Sequence, residues 1–339
     1  MTAKNIRRQH VRQQAGLSLI ELMVAMLIGL LVVGAAVGIF LSNRQVYRAT
    51  EGVGRLQEGT RVAFELMSRD LREAAGNPCV NNLPVANVLN NFGSNWWSNI
   101  QSWGDAFRGY GAGEAAAGLV TGTGAGQRVA GTEALQLFSA DDNVVTVSAH
   151  DTAGATFSVN SGNHGIGAGD LALVCNGKQA SIFQVSSVDG TGTNISHAVS
   201  AGTPGNARIG LNVDGVSNFN YSPGAVAGSE SVSVLARLRV SRWYIGNGGN
   251  GPSLYQQVAT ANGNVATQEV AEGVSNLSVL YLVDGQSVYQ GGAAVGGNWG
   301  SVTSARITLT LAGNDRVGPN GQTIQRQLIH VVSLRNRNP

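Results

Sequence analysis

Between Leu17 and Leu41 the chain reads LSLIELMVAMLIGLLVVGAAVGIFL, an apolar run with a single charge, Glu21. As a helix it would be about 37 Å long at 1.5 Å per residue, more than the ~30 Å hydrocarbon core of a bilayer. The run therefore reads as a membrane span, and it fixes what the rest of the chain can be. Lys4, Arg7, Arg8 and Arg12 precede it with no acid among them, and no comparable basic cluster follows directly. That asymmetry places the N-terminus in the cytoplasm and exports the remainder. An ordinary secretory signal has an apolar region of about 7–15 residues and no acid within it. Glu21 is the informative departure, because a carboxylate in an apolar helix costs at least a few kcal/mol and is rarely retained without a partner.

The formal charge of +2 becomes −2 once the four basic residues before Gly16 are set aside. A near-neutral body has no clustered positive charge with which to displace counterions, so direct nucleic-acid binding is not expected. Charged residues make up 12%, about half the usual share, while the 47 glycines are about twice it. This composition favours turns and short strands. Cys79 and Cys175 are too few and too far apart for a zinc site. In an exported chain they form one disulfide or stay as two buried thiols. A bridge would contribute on the order of 4–5 kcal/mol by loop closure.

The segment Gly16-Leu17-Ser18-Leu19-Ile20-Glu21, behind a basic leader and ahead of a long apolar run, resembles the type IV prepilin cleavage motif. The resemblance implies that a membrane peptidase cuts between Gly16 and Leu17 and that Leu17 becomes the N-methylated terminus. It implies also that Glu21 pairs with the terminal amine of a neighbouring subunit. No proline interrupts the span. Gly29, Gly34 and Gly38 stand there instead, and Gly34 to Gly38 forms a small-xxx-small face suited to close helix packing.

Helical periodicity continues through Val53, Leu56, Thr60, Ala63, Phe64, Met67, Leu71 and Ala74. The opposite face carries Arg48, Glu51, Arg55, Glu58, Arg69 and Glu73. Gly76-Asn77-Pro78 should end the helix, with glycine in the left-handed cap. Residues 77–131 read as irregular and hold Phe92, Trp96, Trp97, Trp103, Phe107 and Tyr110, which serve either as a contact patch or as a lid over the domain's own core. Strands are expected at 134–140, 144–150, 171–175, 181–188, 231–245, 270–283, 304–312 and 323–335. Alternation in 231–245 predicts one buried face, with Val232, Val234, Ala236, Leu238 and Val240, and one wet face.

Ser68 to Gly76 followed by Cys79, Gly169 to Val174, Glu272 to Leu277, Ala305-Arg306-Ile307 and Ser333 to Arg337 resemble blocks of PilW-like minor pilins. The expected fold is α+β, a long N-terminal helix packed on a mainly antiparallel sheet. The expected organisation is a leader at 1–16, a membrane or filament-core helix at 17–41, its amphipathic continuation at 42–76 and an exported domain at 77–339. The resemblance implies an inner-membrane protein that partners a prepilin peptidase, other minor pilins and the pilus assembly machinery, and joins the pilus tip. A type II secretion pseudopilin of the J type and a tip adhesin are the rival readings.

No chemistry stands out beside this. The glycine clusters at 122–126 and 165–169 lack the Lys-Ser/Thr of a phosphate loop. His10, His150, His164, His197 and His330 show no ligand spacing, and Asp141-Asp142-Asn143 and Asn314-Asp315 read as turns rather than a calcium cage. No metal, cofactor or enzymatic activity is expected.

Overall fold

A computed structural model describes residues 16, 18–80, 82–225, 232–312, 323 and 325–337, with the backbone alone at 49, 52, 53, 55–57 and 60. By packing the chain divides into two units, Met1–Gly52 and Val53–Pro339. Helix α1 spans Leu19–Glu73. In the first unit it is apolar and long enough over Leu19–Arg48 to cross a membrane. Its leucines, valines and methionines there are exposed, as expected of side chains meant for lipid or for another helix.

The second unit holds the strands. They are β1 (Val85–Asn87), β2 (Phe107–Tyr110), β3 (Ala134–Ala140), β4 (Val145–Asp151), β5 (Thr156–Val159), β6 (Leu171–Cys175), β7 (Ala180–Gln184) and β8 (Ser187–Val188). After them come β9 (Asn194–Ser196), β10 (Val234–Gly248), β11 (Gly251–Ala259), β12 (Val265–Glu272), β13 (Val274–Val283), β14 (Gln290–Gly291), β15 (Val302–Ala312) and β16 (Gln325–Ser333). One sheet runs β1-β7-β6-β10-β4-β5-β9-β8, with β3-β2 and β11-β12 attached to β10, and a second runs β14-β13-β15-β16. All pairs are antiparallel except β1 with β7.

The expected α+β architecture is therefore present, a long helix followed by a mostly antiparallel sheet domain. Ala63, Met67, Leu71 and Ala74 of α1 are fully buried against Leu135, Trp243, Ile245, Leu254, Leu277, Ile307 and Leu309 from both sheets. Burying side chains such as Met67 and Leu71 contributes about 1.5–3 kcal/mol each. Phe64 packs at the margin of this core, while the side chains of Val53, Leu56 and Thr60 lie outside the described residues.

Four expectations are corrected. First, the alternation expected over 231–245 holds only in part: Ala236, Leu238 and Val240 are buried while Arg237 is exposed and Arg239 partly so, but the pattern fails at both ends. Val232 is exposed, and Ser233 and Ser241 are buried. Val234–Arg237 pair with β6, Leu238–Tyr244 with β3 and Ser241–Gly248 with β11, so the strand is central in its sheet, and from Val240 to Ile245 its side chains are buried on both faces. Second, the stretch expected as one strand at 270–283 is cut at Gly273 (φ 72°), where the chain leaves the large sheet as β12 and enters the small one as β13. Third, the segment 77–131 is not strandless, since β1 and β2 lie within it.

Fourth, Ala75 and not Gly76 takes the left-handed conformation at the helix end (φ 56°). Tertiary bonds hold it there: Ala75 N–H donates to the Phe138 carbonyl (2.8 Å), and its own carbonyl accepts from Trp103 Nε1 (2.7 Å). Gly76 is needed for a different reason, because a Cβ would stand 2.7 Å from Asn336 Nδ2 and from the Glu73 carbonyl.

Candidate functional site

At the start of α1, Ser18 and Glu21 form a reciprocal cap. The Glu21 N–H donates to Ser18 Oγ (3.3 Å), and the Ser18 N–H donates to Glu21 Oε2 (3.4 Å). This is the capping-box arrangement, which also places a negative charge on the positive end of the helix. The motif S-x-x-E was legible as Ser18-Leu19-Ile20-Glu21, yet the sequence reading sought only an external partner for the acid. Both contacts are long, both residues are exposed, and among the described residues Oε1 keeps its acceptor capacity free. Gly16 is exposed just ahead of the cap, and Leu17 lies outside the described residues. No atom lies within 4 Å of a Cβ built on Gly34 or Gly38, so these positions leave open space for a partner backbone.

The other end of α1 is closed by contacts within the chain. Asp70 is 6% exposed and accepts from Arg239 Nη2 (2.8 Å), Trp243 Nε1 (2.9 Å), Gln256 Nε2 (2.7 Å) and Ser241 Oγ (3.3 Å). It ties the helix to β10 and β11. The sequence signal for Asp70 is its place between Met67 and Ala74 on the buried stripe, where an acid needs partners. Just beyond the helix, Cys79 and Cys175 are joined by a disulfide with their Cα atoms 6.1 Å apart, fastening the helix end to β6. Asn336 Nδ2 reaches the Glu73 and Ala74 carbonyls (3.5 Å each). Arg337 donates to the carbonyls of Trp299 and, at 2.7 Å, Gly104, and burial pulls its guanidinium down to about 10.

The aromatic segment belongs to this closure. Trp96, Trp97, Trp103, Phe107 and Tyr110 are buried, and Phe92 is half-buried. Trp96 lies under the guanidinium of Arg242 (4.2 Å to the ring centre), and Phe107 packs edge-on against Tyr281 and Trp299. Of the two roles open to these side chains, the lid over the domain's own core is the one observed.

Among the described residues no three His, Cys, Asp or Glu side chains gather as a metal site. His150 and His197, far apart in sequence, do meet, with Nε2 atoms 3.1 Å apart. No spacing signal in the sequence pointed to that pair.

No curated protein and no solved structure matches the chain. One family model does, the prokaryotic N-terminal methylation motif, over residues 11–37. Those residues bracket the exposed Gly16 and the Ser18–Glu21 cap, so the chain carries the prepilin-type N-terminus found in type IV pilins and pseudopilins.

Proposed function

We propose that this chain is a minor pilin similar to the PilW-like family, acting in type IV pilus assembly as part of a priming complex or the tip. A prepilin peptidase cuts between Gly16 and Leu17, Leu17 is N-methylated, and the processed chain waits in the inner membrane with residues after the span in the periplasm. Glu21 then accepts the terminal amine of a neighbouring subunit, while Gly34 and Gly38 let neighbouring helices approach. The observation that carries this reading is Glu21 itself: an exposed acid on an apolar helix whose contacts with Ser18 are 3.3 and 3.4 Å long. The narrower likeness is supported by where its blocks lie. Asp70, the Cys79–Cys175 bridge and Asn336 all act at one place, the C-terminal end of α1.

The pseudopilin reading shares the same N-terminus and is separated by phenotype. In a strain lacking the gene, surface pili counted by electron microscopy should fall sharply while type II secretion stays intact. Intact pili with failed secretion would favour the pseudopilin instead. Loss of twitching, attachment or DNA uptake would follow from the loss of pili. A tip adhesin working through the aromatic segment is the weakest rival, because those rings face the core.

A further inference from the structure

The lobe built from β4–β9 has its own core, including Phe157, Phe183, Ile195 and Leu235. An irregular segment, 207–225, covers it, contributing the fully buried Leu211 and Tyr221. The Leu211 carbonyl accepts from Gln179 Nε2 (2.6 Å) and Ser181 Oγ (2.8 Å), and the Tyr221 hydroxyl lies 2.6 Å from Ser181 Oγ. Three further bonds hold the segment to β4, one of them from Ser222 Oγ to the His150 carbonyl (3.4 Å). The His150 N–H donates to Ser222 Oγ (2.8 Å), and the Tyr221 N–H donates to His150 Nδ1 (3.2 Å).

That last bond fixes the protons on two rings. His150 Nδ1 is an acceptor, so a neutral His150 carries its proton on Nε2 and donates it across 3.1 Å to His197 Nε2. His197 must then carry its proton on Nδ1, a buried atom that finds no well-aligned partner among the described residues, its own backbone being the only acceptor that favours the proton. The pair has no room for a third proton. On His150 Nδ1 it would face the Tyr221 N–H, and on His197 Nε2 it would face the His150 Nε2–H.

We infer that His150 and His197 form an acid-sensitive latch, which holds the 207–225 segment over the lobe while both rings are neutral and releases it when either gains a proton. The surroundings offer an imidazolium little support. β5 and β7 present the rings of Phe157, 4.2 Å from the His150 ring and 5.0 Å from that of His197, and Phe183, 5.5 Å from the His197 ring. The titratable groups nearby are Tyr221 on the segment, whose hydroxyl burial pushes up, and the exposed Asp151, whose charge only partly offsets the burial of His150. Burial holds His150 down at about 4 and His197 at about 3. Both lie below the ordinary value, so the stability they confer is complete above about pH 6.5 and drains away as pH falls through about 4. Release would uncover apolar surface in acid only.

Hydrogen exchange by mass spectrometry on the full chain in detergent micelles tests this, with rates corrected for their intrinsic pH dependence. Between about pH 7 and about pH 4, protection of 207–225 should drop by about ten-fold or more while β10 keeps its protection. No drop, or a simultaneous loss in β10, would overturn the latch. His197→Phe should move the drop to lower pH, and an unmoved drop counts against the pair. Should that variant fail to fold, ¹⁵N-histidine spectra of the unaltered chain near pH 7 still decide. They should show His150 protonated on Nε2 and His197 on Nδ1, and the reverse tautomers or an imidazolium would refute the assignment.

Discussion

Glu21 and Asp70 are two acids on the same helix, each set among apolar residues, and the chain treats them in opposite ways. Asp70 is buried and takes four donors from β10 and β11. Glu21 is exposed and takes one long bond from a residue three positions away. A buried charge is tolerable only when its lone pairs are filled, and Asp70 meets that condition inside one chain. Glu21 meets it only in part, and bringing the helix into lipid or a filament core would make the remaining capacity expensive to leave open. A carboxylate whose acceptors are filled serves the fold, and one with capacity to spare on an apolar surface is available to a second chain.

The contrast breaks most completely at the processing site. A bulky replacement such as Gly16→Ile should abolish cleavage, so the intact mass should retain the leader; normal shortening would remove the prepilin reading and with it the role given to Glu21. Next comes Asp70→Ala. It strands the buried donors on Trp243 and Ser241, takes a partner from Gln256 and leaves Arg239 with Glu73 alone, and should destabilise the second unit by about 3–5 kcal/mol in chemical denaturation. A loss below about 1 kcal/mol would mean that Asp70 is as dispensable as a surface acid. Cys79→Ser should cost about 2–5 kcal/mol by the same measurement, since the bridge spans a sequence separation of 96. Smallest in its effect on stability is Glu21→Ala, expected to change unfolding of the second unit by no more than about 0.5 kcal/mol. That variant should insert and be cleaved normally while its recovery in complexes with other pilins falls, and undiminished recovery would end the pairing role.

The apolar helix and the buried stripe Ala63, Met67, Leu71 and Ala74 were legible because they depend on periodicity within one element. Strands β3 and β6 fell at their expected places for the same reason. What failed was whatever a distant partner decides. The wet face assigned to 231–245 survives at Arg237 and Arg239 but ends at Val240, beyond which both faces of β10 are covered, and alternation cannot report what covers a strand. Ala75 took the left-handed cap because Phe138 and Trp103 hold its backbone, against the local preference for Gly76. At the candidate site Gly16 and Glu21 were legible from a contiguous motif. The acceptor role of Asp70 was half-visible, as an acid on a buried stripe, and the meeting of His150 with His197 had no local trace.

β10 also determines how the second unit comes apart. One continuous strand supplies rungs to the lobe through β4 and β6 and to the part of the same sheet that packs on the helix through β3 and β11. Neither half can lose its ladder without stripping hydrogen bonds from the strand that completes the other. Thermal melting should therefore join lobe and sheet in one cooperative transition, with the peripheral 207–225 segment free to open beneath it on its own. For a subunit extracted from a membrane and pulled into a fibre, such a shared strand spreads mechanical load across both halves before either yields.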